Sequence, residues 1–365
     1  MSDLDQPGDE GASAEGTGHP GRPEGIDVRR VSAWFAANIP GVSLPLRFEL
    51  IAGGRSNLTY RVIDDAGLID VLRRPPTGHL LPTAHDMGRE HRIIAAMGPA
   101  GVPVPSALGL CTDTEVTGAP FYVMDFADGY VLRNEEEVVA ALDELTRGVA
   151  ARSLIDTLAQ IHSLDVDRIG LGDLARREGY IARQLKRWYA QYCSARDEQA
   201  GPSVEAIDRV HAELVNRIPE QGPATVVHGD YRLDNTVIAA DGTIVAVLDW
   251  ELCTLGDPMA DLAGLLAYWA EPGESSPLGA SPTSAPGFPS RTEVAAHYAE
   301  VSGRDISQLA FYAAFAYWKL ACILEGVYTR YVAGAMGDGD FDYSFYPDAI
   351  AALAAKAEDA LGRLP

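Results

Sequence analysis

Val226-Val227-His228-Gly229-Asp230-Tyr231-Arg232-Leu233-Asp234-Asn235 is followed, after a short polar turn, by Ala246-Val247-Leu248-Asp249-Trp250-Glu251. A short apolar run leads into His228, as a buried strand would. A second one, Ile244 to Leu248, begins after Asp241-Gly242, a pair that favours a tight hairpin. Asp230 and Asn235 therefore sit on a loop after one strand, and Asp249 leaves the end of another.

Three oxygen-bearing side chains so spaced suit phosphoryl transfer. That reaction asks little covalent work of a protein; it needs a divalent ion to neutralise charge and an acceptor hydroxyl held in line with the phosphorus. A catalytic Asp five positions before a metal-binding Asn, with a second metal-binding Asp after a hairpin, is the kinase arrangement. Asp230 is the expected base, and Asn235 and Asp249 are the expected ligands of Mg²⁺, a hard ion satisfied by few protein oxygens. His228, two residues before the base, is expected to fix the loop rather than take part in chemistry. Asp261, near the start of an apolar helix, is expected to hold backbone as structural support. His-Gly-Asp alone could be a turn and Asp-Trp-Glu a strand end; the combination carries the reading.

The remaining sequence divides in two. Strand-like runs dominate up to residue 126 and helical periodicity thereafter, which predicts an α+β protein of two lobes: 26–126, an antiparallel sheet with one helix, and 127–365, mainly helical. Phe48 to Ile51 and Leu58 to Ile63 read as a hairpin around Gly53 and Gly54, with Ser56 and Asn57 beside the turn, a candidate phosphate contact. On the next strand, Leu68 to Arg74, alternation puts Arg73 at the end of the row Ile69, Val71. A buried guanidinium needs a partner. Glu90 lies on the apolar face of the helix expected from Asp86 to Met97, with Ile94 and Met97, so Arg73 and Glu90 are expected to pair. Phe121 to Phe126 reads as a strand ending in the connector between lobes. Further helical stripes run through Leu154, Leu158 and Ile161, through Met259, Leu262, Leu266 and Trp269, and from Phe311 to Tyr331.

Composition bounds the partners. The chain has 365 residues, 47% of them apolar, enough for a large core. With 29 basic against 52 acidic residues the formal charge is -23, which argues against nucleic acid and anionic membranes. No run approaches the roughly 18 apolar residues of a membrane span, and the start is acidic where a signal peptide would be basic; a cytoplasmic setting is expected. Cys111, Cys193, Cys253 and Cys322 are too scattered for a zinc cluster or a disulfide framework. Residues 1–25, rich in Gly, Pro and acid, read as a disordered tail, and 271–290, rich in Pro, Ser and Gly, as a long loop serving as lid or spacer. A homodimer is left open.

These motifs resemble the aminoglycoside phosphotransferase family, relatives of choline kinases and, more distantly, protein kinases. The resemblance spans roughly residues 45 to 335. Val71-Leu72-Arg73-Arg74-Pro75-Pro76, Ala84-His85 with Arg89-Glu90, Phe121-Tyr122-Val123-Met124, Leu248-Asp249-Trp250-Glu251 with Leu255-Gly256-Asp257-Pro258, and Glu325-Gly326-Val327-Tyr328 look most like the phosphotransferases related to domains fused to acyl-CoA dehydrogenases. The resemblance implies a protein-kinase-like fold binding ATP or GTP between its lobes, with the base near Met124, Asp125 and Phe126. It implies Mg²⁺ as cofactor and the hydroxyl of a small molecule as acceptor. An aminoglycoside is one candidate and a hydroxyacyl or lipid-derived alcohol another, in a pocket near Glu251, Tyr268, Trp318 and Glu325. Arg73 stands where most kinases carry a lysine, and the two cations are not interchangeable. Gly229 replaces the arginine that protein kinases place before their catalytic Asp, which argues against a phosphorylation-switched protein kinase. Two rivals follow: a catalytically silent nucleotide-binding module, and a metal-dependent hydrolase with His228 and Asp230 as ligands.

Overall fold

The computed structural model describes residues 23–52, 57–77, 86–199, 205–274, 276–334 and 342–364, the side chains of 196–199 excepted. Gly53, Gly54 and Ser56 of the expected phosphate turn lie outside the described residues, as does most of the expected tail.

The first part of the chain runs α1 (Val28–Asn38), β1 (Arg47–Ala52), β2 (Leu58–Ile63), β3 (Ile69–Arg74), α2 (Met87–Met97), β4 (Ala107–Cys111), α3 (Thr114–Thr117) and β5 (Phe121–Asp125). Its five strands form one sheet in the order β1-β2-β3-β5-β4 with antiparallel neighbours. Strand alternation divides the apolar side chains between two layers. Leu58, Tyr60, Val62, Leu72, Phe121 and Val123 face Val31 and Phe35 of α1. The alternate residues Val71, Tyr122 and Met124 face Met87, Ile93, Ile94 and Met97 of α2 and join the core of the helical part. α2 starts where the sequence places it, because the Asp86 side chain caps the backbone amide of Arg89. α1 and the single turn α3 are additions to the one expected helix; α1 covers the sheet face that would otherwise leave six apolar side chains in water.

The second part contains α4 (Glu135–Ala141), α5 (Glu144–Ser163), α6 (Tyr180–Gln199), α7 (Glu205–Asn216), β6 (Thr225–Val227), β7 (Thr236–Ile238), β8 (Ile244–Val247), β9 (Thr254–Gly256), α8 (Pro258–Tyr268), α9 (Arg291–Ser302), α10 (Leu309–Val332) and α11 (Tyr346–Leu361). The expected hairpin is β7 with β8, while β6 pairs with β9. These two small antiparallel pairs frame the loop that carries Asp230. The connector after β5 is pinned to the hairpin by paired backbone bonds between Tyr130 and Ile238, at 2.8 and 2.9 Å.

α10, the helix expected from the stripe Phe311 to Tyr331, is long and apolar enough to cross a membrane by length and composition. Here it is a core helix, burying Phe311, Tyr312, Phe315, Trp318 and Cys322 among α6, α7, α8 and α11. The stretch 271–290 is packed down: the Thr283 hydroxyl donates to the Ala270 carbonyl at 3.0 Å, and the Trp269 indole N–H to the Pro289 carbonyl at 2.9 Å.

Candidate active site

The loop that carries Asp230 is held from below by one buried carboxylate. Asp261, in the first turn of α8, accepts the backbone N–H of His228 at 2.6 Å on Oδ2 and that of Gly229 at 2.9 Å on Oδ1. His162 of α5 stands 3.3 Å from the same Oδ2, and its other ring nitrogen lies 2.7 Å from the Tyr298 hydroxyl. Burial would push the Asp261 carboxyl up, but the contact with His162, the nearby His228 ring and the Gly229 amide hold it below the usual carboxylate range. His228 spans to the next strand: its Nε2 meets the Leu248 carbonyl at 2.9 Å and its Nδ1 the Asp230 amide at 3.3 Å. Nδ1 must accept from an amide, so Nε2 carries the hydrogen and donates. Neither nitrogen is left to bind a metal, which removes the hydrolase reading that made His228 a ligand.

Asp230 and Asn235 come together at the loop's open side. Asn235 Nδ2 donates to both the carbonyl and Oδ2 of Asp230, each at 2.9 Å. This turns its Oδ1, the atom a hard cation prefers, away from Asp230. The Leu248 amide donates to the Asn235 carbonyl at 2.9 Å, tying the loop to the strand that ends in Asp249. Asp249 itself has φ 61° and ψ 63°, the single non-glycine residue with positive φ among the described residues. Asp tolerates that left-handed conformation better than most residues, and it swings the carboxylate out of the strand direction into the cleft.

The upper lobe answers with Arg73. Its Nε lies 3.1 Å from Glu90 Oε2, as alternation and helix phase predict, and its Nη2 lies 2.6 Å from Asp249 Oδ1. Tyr122 donates its hydroxyl to Glu90 Oε2 and Asn57 its Nδ2 to Glu90 Oε1, both at 3.1 Å. Burial works against the Arg73 charge, but Glu90, then Tyr122 and Asp249, raise its pKa above the ordinary arginine value. Glu251 faces the same cluster; burial and then the Asp249 charge push its carboxyl up to about 7.

Between the lobes lies a cavity of about 470 Å³ lined by Arg73, Met124, Asp125, Phe126, Asn235 and Asp249 among others. Asn57 and Glu90 do not line it. They stand behind Arg73 and fix it, as does Tyr122, whose hydroxyl gives no signal in sequence. A second cavity of about 200 Å³ opens on the far side of Asp230, walled by Leu252, Tyr268, Phe315, Leu320 and Ile323, with Lys319 beside Gly229. Of the residues expected there, Tyr268 is present. Trp318 is turned into the core, where its indole N–H donates to the Ile207 carbonyl at 3.1 Å, Glu251 faces Asn57 at 3.5 Å, and Glu325 is absent from the walls. Arg232, which the motif reading passed over, lies 3.5 Å from Asp230 and 3.0 Å from Asp234, with its guanidinium 4.7 Å over the Tyr268 ring. Its place two residues after Asp230 was the available signal.

Among the described residues no three His, Cys, Asp or Glu side chains gather as a metal cage. An amide and a carboxylate on the wall of the larger cavity instead suit Mg²⁺, which takes one or two carboxylates and completes its shell with phosphate and water.

A family model described as the phosphotransferase enzyme family matches residues 47–294. The chain is 37% identical over 298 residues to acyl-CoA dehydrogenase family member 10 of Mus musculus, covering 80% of this chain and 27% of that one. Against acyl-CoA dehydrogenase family member 11 of Rattus norvegicus the identity is 33% over 320 residues, 85% of this chain and 40% of that one. The chain thus spans well under half the length of these relatives. Among solved structures, a Ralstonia eutropha protein provisionally named an aminoglycoside phosphotransferase superimposes with TM-score 0.77 at 29% identity, covering 93% of this chain and 99% of that one. The GDP complex of aminoglycoside 2'-phosphotransferase-IIIa shares the fold, with TM-score 0.56 at 12% identity over 91% of this chain and 99% of that one. With the motif residues of the kinase pattern assembled at one cleft and the family model matching from β1 into α9, the chain belongs to the phosphotransferase enzyme family.

Proposed function

We propose that this protein is a Mg²⁺-dependent phosphotransferase that moves the γ-phosphoryl group of ATP or GTP to a hydroxyl of a small molecule. The observation that carries this reading is the convergence of Asp230, Asn235 and Asp249: Asn235 is bonded to Asp230 on one side and, through its carbonyl, to the strand end that delivers Asp249. Asn235 Oδ1 and Asp249 are the groups that would hold the metal, which when bound neutralises phosphate charge. Asp230 lies between the two cavities, so an acceptor hydroxyl in the smaller one can give it a proton while the hydroxyl oxygen attacks the γ-phosphorus and the bond to the β-phosphate oxygen breaks. Arg232 stands where its charge can offset the phosphoryl group in flight. Lobes at about 26–126 and 127–365 divide the work, the first holding nucleotide and the second the acceptor. A cytoplasmic setting, with its nucleoside triphosphates and Mg²⁺, suits this chemistry.

The acceptor cavity is mainly apolar and holds an ammonium, which favours a neutral or anionic hydroxylated compound with an apolar body over a polycationic aminoglycoside. The silent-module reading draws on one observation: Arg73 already sits on the metal-binding Asp249. Turnover separates the two. Transfer of labelled phosphate from ATP to a pool of hydroxylated metabolites, reduced about 10²- to 10⁴-fold in Asp230→Ala while Mg-ATP still binds, supports the enzyme. Tight nucleotide binding with no transfer to any acceptor supports the silent module.

A further inference from the structure

Two polar atoms on β2 are buried at the wall of the nucleotide cavity without a hydrogen-bond partner: the Thr59 hydroxyl and Arg61 Nε. Native proteins rarely leave such groups unpaired, and when they do a missing ligand is a common reason. Thr59 is 7% exposed, and it stands on the wall of the open cleft, where an entering ligand can meet it. The two side chains share one face of the strand, two residues apart, and that face looks into the cleft. Their cross-strand partners locate them along a bound nucleotide. Thr59 pairs with Arg73 and, one strand further, Arg73 with Tyr122, which marks the level of Asp249 and of the phosphates. Arg61 pairs with Val71, and Val71 with Met124, which marks the level of the connector, where a base would lie. The two levels are separated by two strand residues, about 7 Å. At the outer level the Arg61 guanidinium already lies 4.9 Å over the ring of Phe126, and its remaining ion pair, to the exposed Glu49, is long at 3.6 Å.

We infer that β2 reads the nucleotide at two points: the Thr59 hydroxyl donates to a phosphate oxygen, and the Arg61 guanidinium covers the face of the base, where an aliphatic roof would otherwise be needed. This rests on the phosphotransferase reading. A guanidinium can do this because it is planar and weakly hydrated and stacks on π faces, whereas an ammonium of equal charge cannot stack in the same way. Thr59 belongs to a different class of contact, one that an uncharged nucleoside lacking phosphate would not make.

Equilibrium binding of Mg-ATP, and of adenosine by competition, to the whole protein and to Thr59→Val, Arg61→Met and Arg61→Lys tests both contacts. Thr59→Val should weaken Mg-ATP about tenfold, leave adenosine unchanged and raise the melting temperature of the free protein, since it deletes an unsatisfied buried hydroxyl. Arg61→Met should weaken Mg-ATP and adenosine alike, about fivefold or more, and Arg61→Lys should not restore either. Unchanged Mg-ATP affinity in Thr59→Val overturns the phosphate contact. Full affinity in Arg61→Lys, or loss of ATP without loss of adenosine in Arg61→Met, shows that Arg61 acts by charge and overturns the stacking. Wild-type protein that binds no nucleotide at all overturns the phosphotransferase reading itself, an outcome distinct from these.

Discussion

Gly229 shows how a single backbone conformation can exclude a side chain. Its φ is +89°, and a Cβ built there would lie 2.8 Å from the Leu252 carbonyl oxygen, a backbone atom that cannot step aside. The arginine that protein kinases carry before their catalytic Asp therefore has no room here, and the cations of the two cavities include Arg73, Arg232 and Lys319 instead. Gly229→Ala is expected to destabilise the protein by about 2 kcal/mol and to displace Asp230, so that melting temperature and turnover fall together. Turnover falling at an unchanged melting temperature would assign the glycine to chemistry rather than to conformation. Lys319 illustrates the opposite pressure: burial lowers its pKa, and the nearby charges of Asp261 and Asp230 oppose that shift without cancelling it.

At the scale of elements, the segment between α8 and α9 behaves as a strap. Glu274 accepts from Lys356 of α11 at 2.8 Å and from Arg291, the first residue of α9. Burial would raise the Glu274 carboxyl, yet these two cations lower it to about 2, against an ordinary value of 4.5. A carboxyl depressed on folding stabilises the protein above its unfolded pKa and loses that contribution as pH falls toward the folded one. Glu274→Gln should therefore cost about 1 kcal/mol at neutral pH, and the difference from wild type should shrink between roughly pH 4.5 and pH 2. Chemical denaturation followed across that range is the check; a difference independent of pH would assign the loss to packing. The same segment leans on the site, since a small cavity brings Ser276, Leu278 and Ser281 beside Arg232 and Tyr268.

For the molecule as a whole, a formal charge of -23 surrounds a cleft that, on the proposed function, accepts a polyanion. The local guanidiniums of Arg61, Arg73, Arg133 and Arg232 line the cavity, but the overall field repels free ATP. That repulsion weakens as the Debye length falls from about 30 Å at 0.01 M salt to about 8 Å at 0.15 M. Metal-free ATP should thus bind several-fold more tightly at physiological salt than at about 0.01 M, and Mg-ATP, with half the charge, should respond less. Calorimetric titrations with and without chelator measure both; affinity that falls with salt would show that the cleft arginines outweigh the surface.

Local pattern alone determined a good deal of this protein. The spacing of Asp230, Asn235 and Asp249, the hairpin between them, the phase that pairs Arg73 with Glu90 and the division into a sheet followed by helices all follow from periods of two and 3.6 residues and from turn chemistry. Those rules act over a few residues, so they are written in the chain. What only the tertiary structure decided is everything that depends on which distant surfaces meet. Asn57 braces Glu90 behind the wall of the cleft, Trp318 packs inward, α1 covers the back of the sheet, and Asp261 reaches from α8 to hold two amides of a loop more than thirty positions earlier. Burial and unsatisfied polar atoms are properties of packing, not of order along the chain, which is why Thr59 and Arg61 carry no signal until the strands are aligned over the cleft.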